Sequence, residues 1–355
     1  MIADQASLTI DLDALAANHA LMRGLAGAAE LAPVVKADAY GLGAAVVARR
    51  LRAEGAQRFF VARVAEGVAL REALGSGPVI YVLDGCPPGA AARLADAGLV
   101  PVLNDLGQIA AWRDHGARPA ALHVDTGMHR LGLSLDEAEQ VSRAGDLAAE
   151  LVISHLSCGS SEDHPMNDRQ AQAFESVRTL FPNARASLAN SGGLFQGERF
   201  GFDLVRPGIS LYGGGPFDRA DPRIAPVALF EAPILQVRAV RAGEAVGYGA
   251  DFIAERDLSV AVIAAGYADG VLRAQAGLGY GWLHGARRRY LGRISMDLIA
   301  LDVSDAPAAK PGDRVQLLGP EVLVDEAAAA AGTIAYELLT RLSPRAQRVH
   351  LGAAA

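Results

Sequence analysis

A lysine set in an apolar, glycine-punctuated stretch is the first residue of this sequence whose surroundings suit chemistry. In Val34-Val35-Lys36-Ala37-Asp38-Ala39-Tyr40-Gly41-Leu42-Gly43, the apolar run Leu31–Val35 reads as a buried strand that breaks into a turn before a helix. A lysine in such a place is often only a solvated cap. Lys36 has unusual neighbours: Gly41 and Gly43 let backbone approach a ligand, and Tyr40 offers a phenol. A partly buried amine there can lose its proton and form a Schiff base with a carbonyl compound.

The elements that must position this lysine repeat along the chain. Short apolar runs at Leu31–Val35, Phe59–Val64, Val79–Leu83, Val100–Leu103, Ala121–Val124, Leu151–Ile153, Ala186–Ala189 and Leu204–Val205 alternate with helical patterns. Among those helices are Asp13–Ala26 with Asp13 as a cap, Gly43–Arg52 closed by Gly55, Ser134–Ala144 opened by a capping box to Glu137, and Asp168–Leu180 stopped by Pro182. Eight strand–helix units in about 200 residues predict a closed (β/α)8 TIM-type barrel. The rival, an open doubly wound sheet, would normally carry a Gly-x-Gly-x-x-Gly turn after a strand, and none occurs in that context. In a barrel, chemistry gathers at the carboxyl ends of the strands. Lys36, Asp125, His155, Asn190 with Ser191, and Arg206 all stand there.

After Gly213-Gly214-Gly215-Pro216 the period changes. From Phe230 to Val303, runs such as Ile234–Val240 and Leu258–Ala264 alternate with Gly, Asp and Pro, and no long helical pattern separates them. Two short helices, opened by Asp325 and Thr333, and a strand over Gln347–Leu351 follow. The expected organisation is a barrel over residues 1–229 and a mainly β C-terminal domain over 230–355.

Composition narrows the partners. The 355 residues carry 51% apolar content and a net charge of −7 with scattered basic residues, which disfavours nucleic acid and anionic membranes. Cys86 and Cys158 follow no metal spacing and build no disulfide framework, so no metal is expected and a reducing cytoplasm fits best. No stretch reaches the roughly 18 uninterrupted apolar residues of a membrane span.

Read residue by residue, the chain resembles the alanine racemases, which depend on pyridoxal 5'-phosphate, over nearly its whole length. The segment around Lys36 resembles the family's cofactor lysine motif, and Tyr40 with Tyr336 would add phenolic contacts to the cofactor. Val205-Arg206-Pro207-Gly208-Ile209-Ser210-Leu211-Tyr212-Gly213 resembles the segment whose arginine meets the pyridine nitrogen. Arginine is a permanent donor, so such a nitrogen stays unprotonated and the cofactor is a weaker electron sink than one facing an acid. Ser191 and the amides of Gly208 and Ile209 fall in the loops after the seventh and eighth strands, where barrels commonly bind phosphate.

The resemblance assigns further roles. His123-Val124-Asp125-Thr126-Gly127-Met128-His129-Arg130 is similar to the segment whose arginine, here Arg130, approaches the substrate carboxylate. Many relatives have a carbamylated lysine where this chain has His123, and imidazole cannot carry that anion. Racemisation needs acid–base groups on both faces of a planar carbanion. Lys36 would serve one face and Tyr248, in Gly247-Tyr248-Gly249-Ala250-Asp251-Phe252, the other, linked through His155 to the Arg206 region. Met296, in Gly292-Arg293-Ile294-Ser295-Met296-Asp297, would line the methyl pocket and Tyr267 the entrance, while Gly159–Glu162 departs from the more acidic family loop.

The resemblance thus implies an enzyme interconverting L- and D-alanine, supplying D-alanine for peptidoglycan if the source is bacterial, and a homodimer with shared active sites. Two alternatives remain at this point. One is a broader-specificity amino-acid racemase of the same fold, the other a non-catalytic barrel that carries pyridoxal phosphate.

Overall fold

The structure, a computed structural model, describes residues 5–116 and 118–352. The described residues divide into two compact units, one over Ala16–Leu211 and one made of residues 5–15 together with 212–352.

Among the described residues of the first unit, eight parallel strands alternate with helices. With β1 as the N-terminal strand Ser7–Asp11, they are β2 (Glu30–Leu31), β3 (Arg58–Val61), β4 (Val79–Val82), β5 (Val100–Leu103), β6 (Ala120–His123), β7 (Ala149–Ile153), β8 (Arg185–Ser187) and β9 (Leu204–Val205). Strands β3 to β8 pair in sequence order and β2 pairs with β9. The parallel bridge Val34 to Phe60 joins the end of β2 to β3, and the amides of Asp203 and Arg206 donate to Ala186 and Ala189 across β8 and β9. The ring is thereby closed. Its strands carry Phe59, Phe60, Ile80, Val82, Val102, Leu122, Leu151 and Leu204, all buried, because a parallel strand is covered on both faces. All eight strands expected from the sequence are present.

The second unit is antiparallel for the most part. Its strands are β10 (Ala228–Val240), β11 (Ala245–Val246), β12 (Phe252–Ile253), β13 (Leu258–Ile263), β14 (Tyr280–Leu283), β15 (Ala286–Leu291), β16 (Ile299–Asp302), β17 (Arg314–Leu318) and β18 (Gln347–Leu351). Strand β10 runs along two neighbourhoods: Phe230–Pro233 pairs with β17, and Ile234–Val240 pairs with β13. Pro233 lacks an N–H and the register shifts between Ile234 and Gln236, so the strand turns from one partner to the other at the point where its ladder is already interrupted. Through that switch β10, β13, β16, β15, β14 and β17 close on themselves, with β1 and β18 continuing past β10.

Three readings of the sequence are corrected. Residues 1–229 were expected in the barrel, but β1 pairs antiparallel with β10 and parallel with β18, and the stretch from Tyr212 also joins the second unit. The helix over Leu12–Leu25 is capped by Asp11, whose Oδ1 accepts from Asp13 and Ala14 at 2.9 Å, and not by Asp13. The helix expected from Asp168 begins at Pro165, because proline at a first helical position loses no bond and the preceding His164 caps it.

Candidate active site

Lys36 leaves the end of the first barrel strand and enters a turn of left-handed backbone. Ala37, Asp38, Ala39 and Tyr40 all have φ between 51° and 57°. For residues with a Cβ this conformation costs roughly 1–2 kcal/mol each, so the neighbourhood must hold it. It does so with two carboxylates. Glu66 accepts from the Ala37 amide at 2.9 Å and, with its other oxygen, from Ala62, while Asp38 accepts from the Ala44 amide at 2.7 Å. The sequence signalled a glycine-assisted turn here. The strained residues are in fact non-glycine, and the glycines Gly41 and Gly43 follow them.

The barrel brings Lys36 together with Arg130, Arg206, His123 and His155. Burial and the charge of Arg130 push the Lys36 amine below the ordinary lysine value; Glu66 and Asp84 oppose this and Arg206 adds to it. Arg206 is buried, and desolvation pulls its guanidinium down to about 9. Its Nη1 donates to Ser187 Oγ and its Nη2 to the carbonyls of Ser154 and Leu188, with the Phe60 ring beneath the guanidinium at 5.9 Å. The Nε–H and one N–H of Nη1 are the donors left over. His155 lies well below the usual imidazole value through burial and then the charges of Arg206, Arg130 and Lys36. Two neutral imidazoles among three cationic side chains make a rim that favours an anionic ligand.

A second cluster forms beside it. The Ser191 hydroxyl accepts from the Gly208 amide at 3.0 Å and the Ser210 amide at 3.5 Å. Ser210 Oγ is buried and has no partner. A Cβ on Gly208 would fall on the Tyr40 hydroxyl, so glycine is what lets phenol and backbone approach each other. Ile209 opens the short helical turn that follows. Amides, hydroxyls and one orphaned buried oxygen in a small space fit a phosphate group.

His123 is held by a residue the sequence reading did not single out. Asn104 donates both N–H bonds of its side-chain amide to the carbonyls of Leu83 and Val102, at 3.0 and 2.8 Å, and presents its oxygen to His123 Nδ1 at 2.8 Å. The imidazole therefore carries its proton on Nδ1. Burial, then Arg206, push it down to about 4, so it is neutral. Gln170 was missed as well: it donates to the His155 carbonyl at 2.9 Å and accepts from the Ser157 amide at 2.8 Å, fixing the loop that carries His155. The only signal for Asn104 was a polar residue at the carboxyl end of an apolar barrel run, and for Ser187 a polar residue within one.

Tyr248, Met296 and Tyr336 belong to the other unit. Tyr248 is 69% exposed on the loop of the β11–β12 hairpin, which is braced by ion pairing of Arg293 with Asp251. Val246 and Phe252 anchor that hairpin in a cluster with Val240, Leu258, Val260 and Leu291. Met296 is 53% exposed. Tyr336 lies in the helix Ala335–Arg341, and burial raises its phenol above the ordinary value.

The family model for the alanine racemase N-terminal domain matches residues 10–216, and that for the C-terminal domain matches residues 227–350. The chain belongs to the alanine racemase family. It is 47% identical to the catabolic alanine racemase of Mesorhizobium japonicum, covering 98% of this chain and 93% of that protein. It is 44% identical to the alanine racemase of Rhizobium meliloti over 98% and 97% of the two chains. Among solved structures, alanine racemase from Bartonella henselae with covalently bound pyridoxal phosphate superposes with a TM-score of 0.93 at 36% identity, covering 98% and 99% of the chains. Membership in this family accounts for a barrel followed by a mainly β unit. Among the described residues, no helix is long and apolar enough to cross a membrane.

Proposed function

We propose that the protein interconverts L- and D-alanine with pyridoxal 5'-phosphate held at the barrel rim. The observation that carries this is one juxtaposition: an amine with a lowered pKa, Lys36, shares the rim with Arg206, a buried guanidinium whose Nε–H is not spent on its bonds to Ser187, Ser154 and Leu188. When bound, the cofactor supplies the electron withdrawal that acidifies the α-hydrogen of an amino acid.

The chain's own residues do the rest. Ser191, the amides of Gly208 and Ile209, and the phenols of Tyr40 and Tyr336 hold the phosphate. Arg206 would donate to the ring nitrogen and, staying protonated at neutral pH, would leave that nitrogen without a proton and the electron sink weak, which favours simple proton exchange over deeper chemistry. Arg130 binds the substrate carboxylate and Met296 bounds the methyl group. Lys36 and Tyr248 move the α-proton on opposite faces, and His155 links Tyr248 to Arg206. A homodimer completes each rim with Tyr248 of a second copy. The equilibrium constant between enantiomers is one, so the direction of flux, toward wall synthesis or toward breakdown, is set by what consumes each enantiomer.

The test is chemical. Borohydride treatment should abolish the visible absorbance of the purified enzyme and leave a label on Lys36. A label on another lysine would overturn the assignment. A racemisation assay over a panel of amino acids should give alanine the highest kcat/KM.

A further inference from the structure

Arg206 has an unusual set of partners for a buried cation. Desolvation is the sole cause of its lowered pKa, and its hydrogen bonds go to neutral oxygens: Ser187 Oγ at 2.5 Å, the Ser154 carbonyl at 2.6 Å and the Leu188 carbonyl at 3.3 Å. Two of these acceptors are backbone, and Ser187 alone is a side chain. Ser187 is fully buried, and its hydroxyl in turn donates to the Leu204 carbonyl at 2.5 Å.

A hydroxyl has one proton and two lone pairs. With the proton committed to Leu204, on the strand that leads into Arg206, only lone pairs face the guanidinium. That guanidinium is planar and rigid, so acceptors on both terminal nitrogens fix its plane and with it the direction of Nε–H. A carboxylate in place of Ser187 would fix the plane too, but would also neutralise the charge.

We propose that Ser187 is a positioning residue, a hydroxyl of fixed polarity that aims the Nε–H of Arg206 while leaving its charge uncompensated. It acts through Arg206 and touches neither substrate nor cofactor. The inference rests on the proposed role of Arg206 toward the ring nitrogen, and it extends that role to a residue on the neighbouring strand.

The test uses the full-length protein before and after loading with pyridoxal phosphate, with Ser187→Ala and Ser187→Thr. The first readout is the arginine Nε–H region of a 1H–15N spectrum, in which the Arg206 signal is assigned by its loss in Arg206→Lys. Ser187→Ala should move or broaden that signal in both states, whereas Ser187→Thr, which keeps a hydroxyl, should leave it near its wild-type position. In the loaded enzyme, Ser187→Ala should lower kcat roughly 10- to 100-fold, the size of a lost hydrogen bond to a charged group, and change KM far less. Its absorption maximum should shift, and Ser187→Thr should restore both readouts. Should Ser187→Ala not fold, Ser187→Cys keeps the volume, offers a weaker acceptor and is read in the same way. An Ala or Cys variant with the wild-type Arg206 signal and the wild-type kcat overturns the proposal. If Ser187→Ala shows the expected change in the Arg206 signal while the wild-type protein takes up no cofactor, the function reading is overturned and the Ser187–Arg206 pairing is supported.

Discussion

Asn104 sets the chemistry of His123 by settling which nitrogen holds the proton. Because burial and Arg206 lower the histidine to about 4 from an ordinary 6.5, protonation favours the unfolded chain. The stability contributed by the neutral ring is therefore full above about pH 6.5 and is lost as pH falls toward 4. Asn104→Asp should reverse the preference, since a carboxylate at 2.8 Å favours the imidazolium. The charged ring then repels Arg130, and KM for alanine should rise as pH drops from 8 to 6 in the variant while the wild type stays flat. Parallel profiles in the two enzymes would falsify this account. Tyr248→Phe tests the other face. Equal kcat/KM in both directions is imposed by the equilibrium, so rates alone cannot say which base serves which enantiomer. The variant should lose roughly 10²–10⁴ in racemisation. In heavy water it should still exchange the α-hydrogen of D-alanine through Lys36, while exchange into L-alanine falls with racemisation. Equal residual exchange into both would end the two-base assignment. Lys36, Arg206 and Ser191 were legible in the sequence because each ends an apolar run. Asn104 ends such a run too and Ser187 lies inside one, but their roles depend on partners 19 residues away in each case, and no local pattern announces those partners.

At the scale of elements, strands were the most legible feature. Parallel barrel strands are covered on both faces, so each appears as a continuous apolar run, and each of the eight runs named for the barrel overlaps one of β2 to β9. Caps were less so: Asp11 and Asp13 are both acidic and two residues apart, and only the backbone geometry selects Asp11. The turn after Lys36 was signalled by Gly41 and Gly43, but its left-handed backbone was not, because Ala37, Ala39 and Tyr40 have no local preference for positive φ and the turn is held by Glu66 from a separate helix. Gly208 tests the phosphate cradle as an assembly of elements. Gly208→Ala would force its methyl onto the Tyr40 hydroxyl, and backbone on one side with a packed ring on the other leaves little room to yield. Cofactor affinity, measured by absorbance titration of stripped enzyme, should weaken at least about tenfold, the equivalent of one lost hydrogen bond of roughly 1.4 kcal/mol. An unchanged affinity would remove Tyr40 and Gly208 from the cradle.

For the whole molecule, the proposed sharing of active sites makes a testable statement about subunits. Lys36→Ala and Tyr248→Phe chains, each nearly inactive, should regain activity when dissociated and reassembled together, because one site of a mixed dimer holds both bases. If wild-type chains recover under the same treatment and the mixture does not, Tyr248 serves its own chain. The division into two units was legible from the change of period after Gly213, but the placement of β1 was not, since Ser7–Asp11 runs directly into a helix that belongs to the barrel unit. That placement bears on synthesis. Strand β1 leaves the ribosome before every barrel strand, yet its antiparallel partner begins at Ala228 and its parallel partner at Gln347. At 5–20 residues per second, Asp11 waits roughly 10–40 s for Ala228 to be made. During that interval the nascent barrel can close, while the strand ahead of it remains an unpaired edge, open to chaperones on one side until β10 emerges and on the other until β18 does.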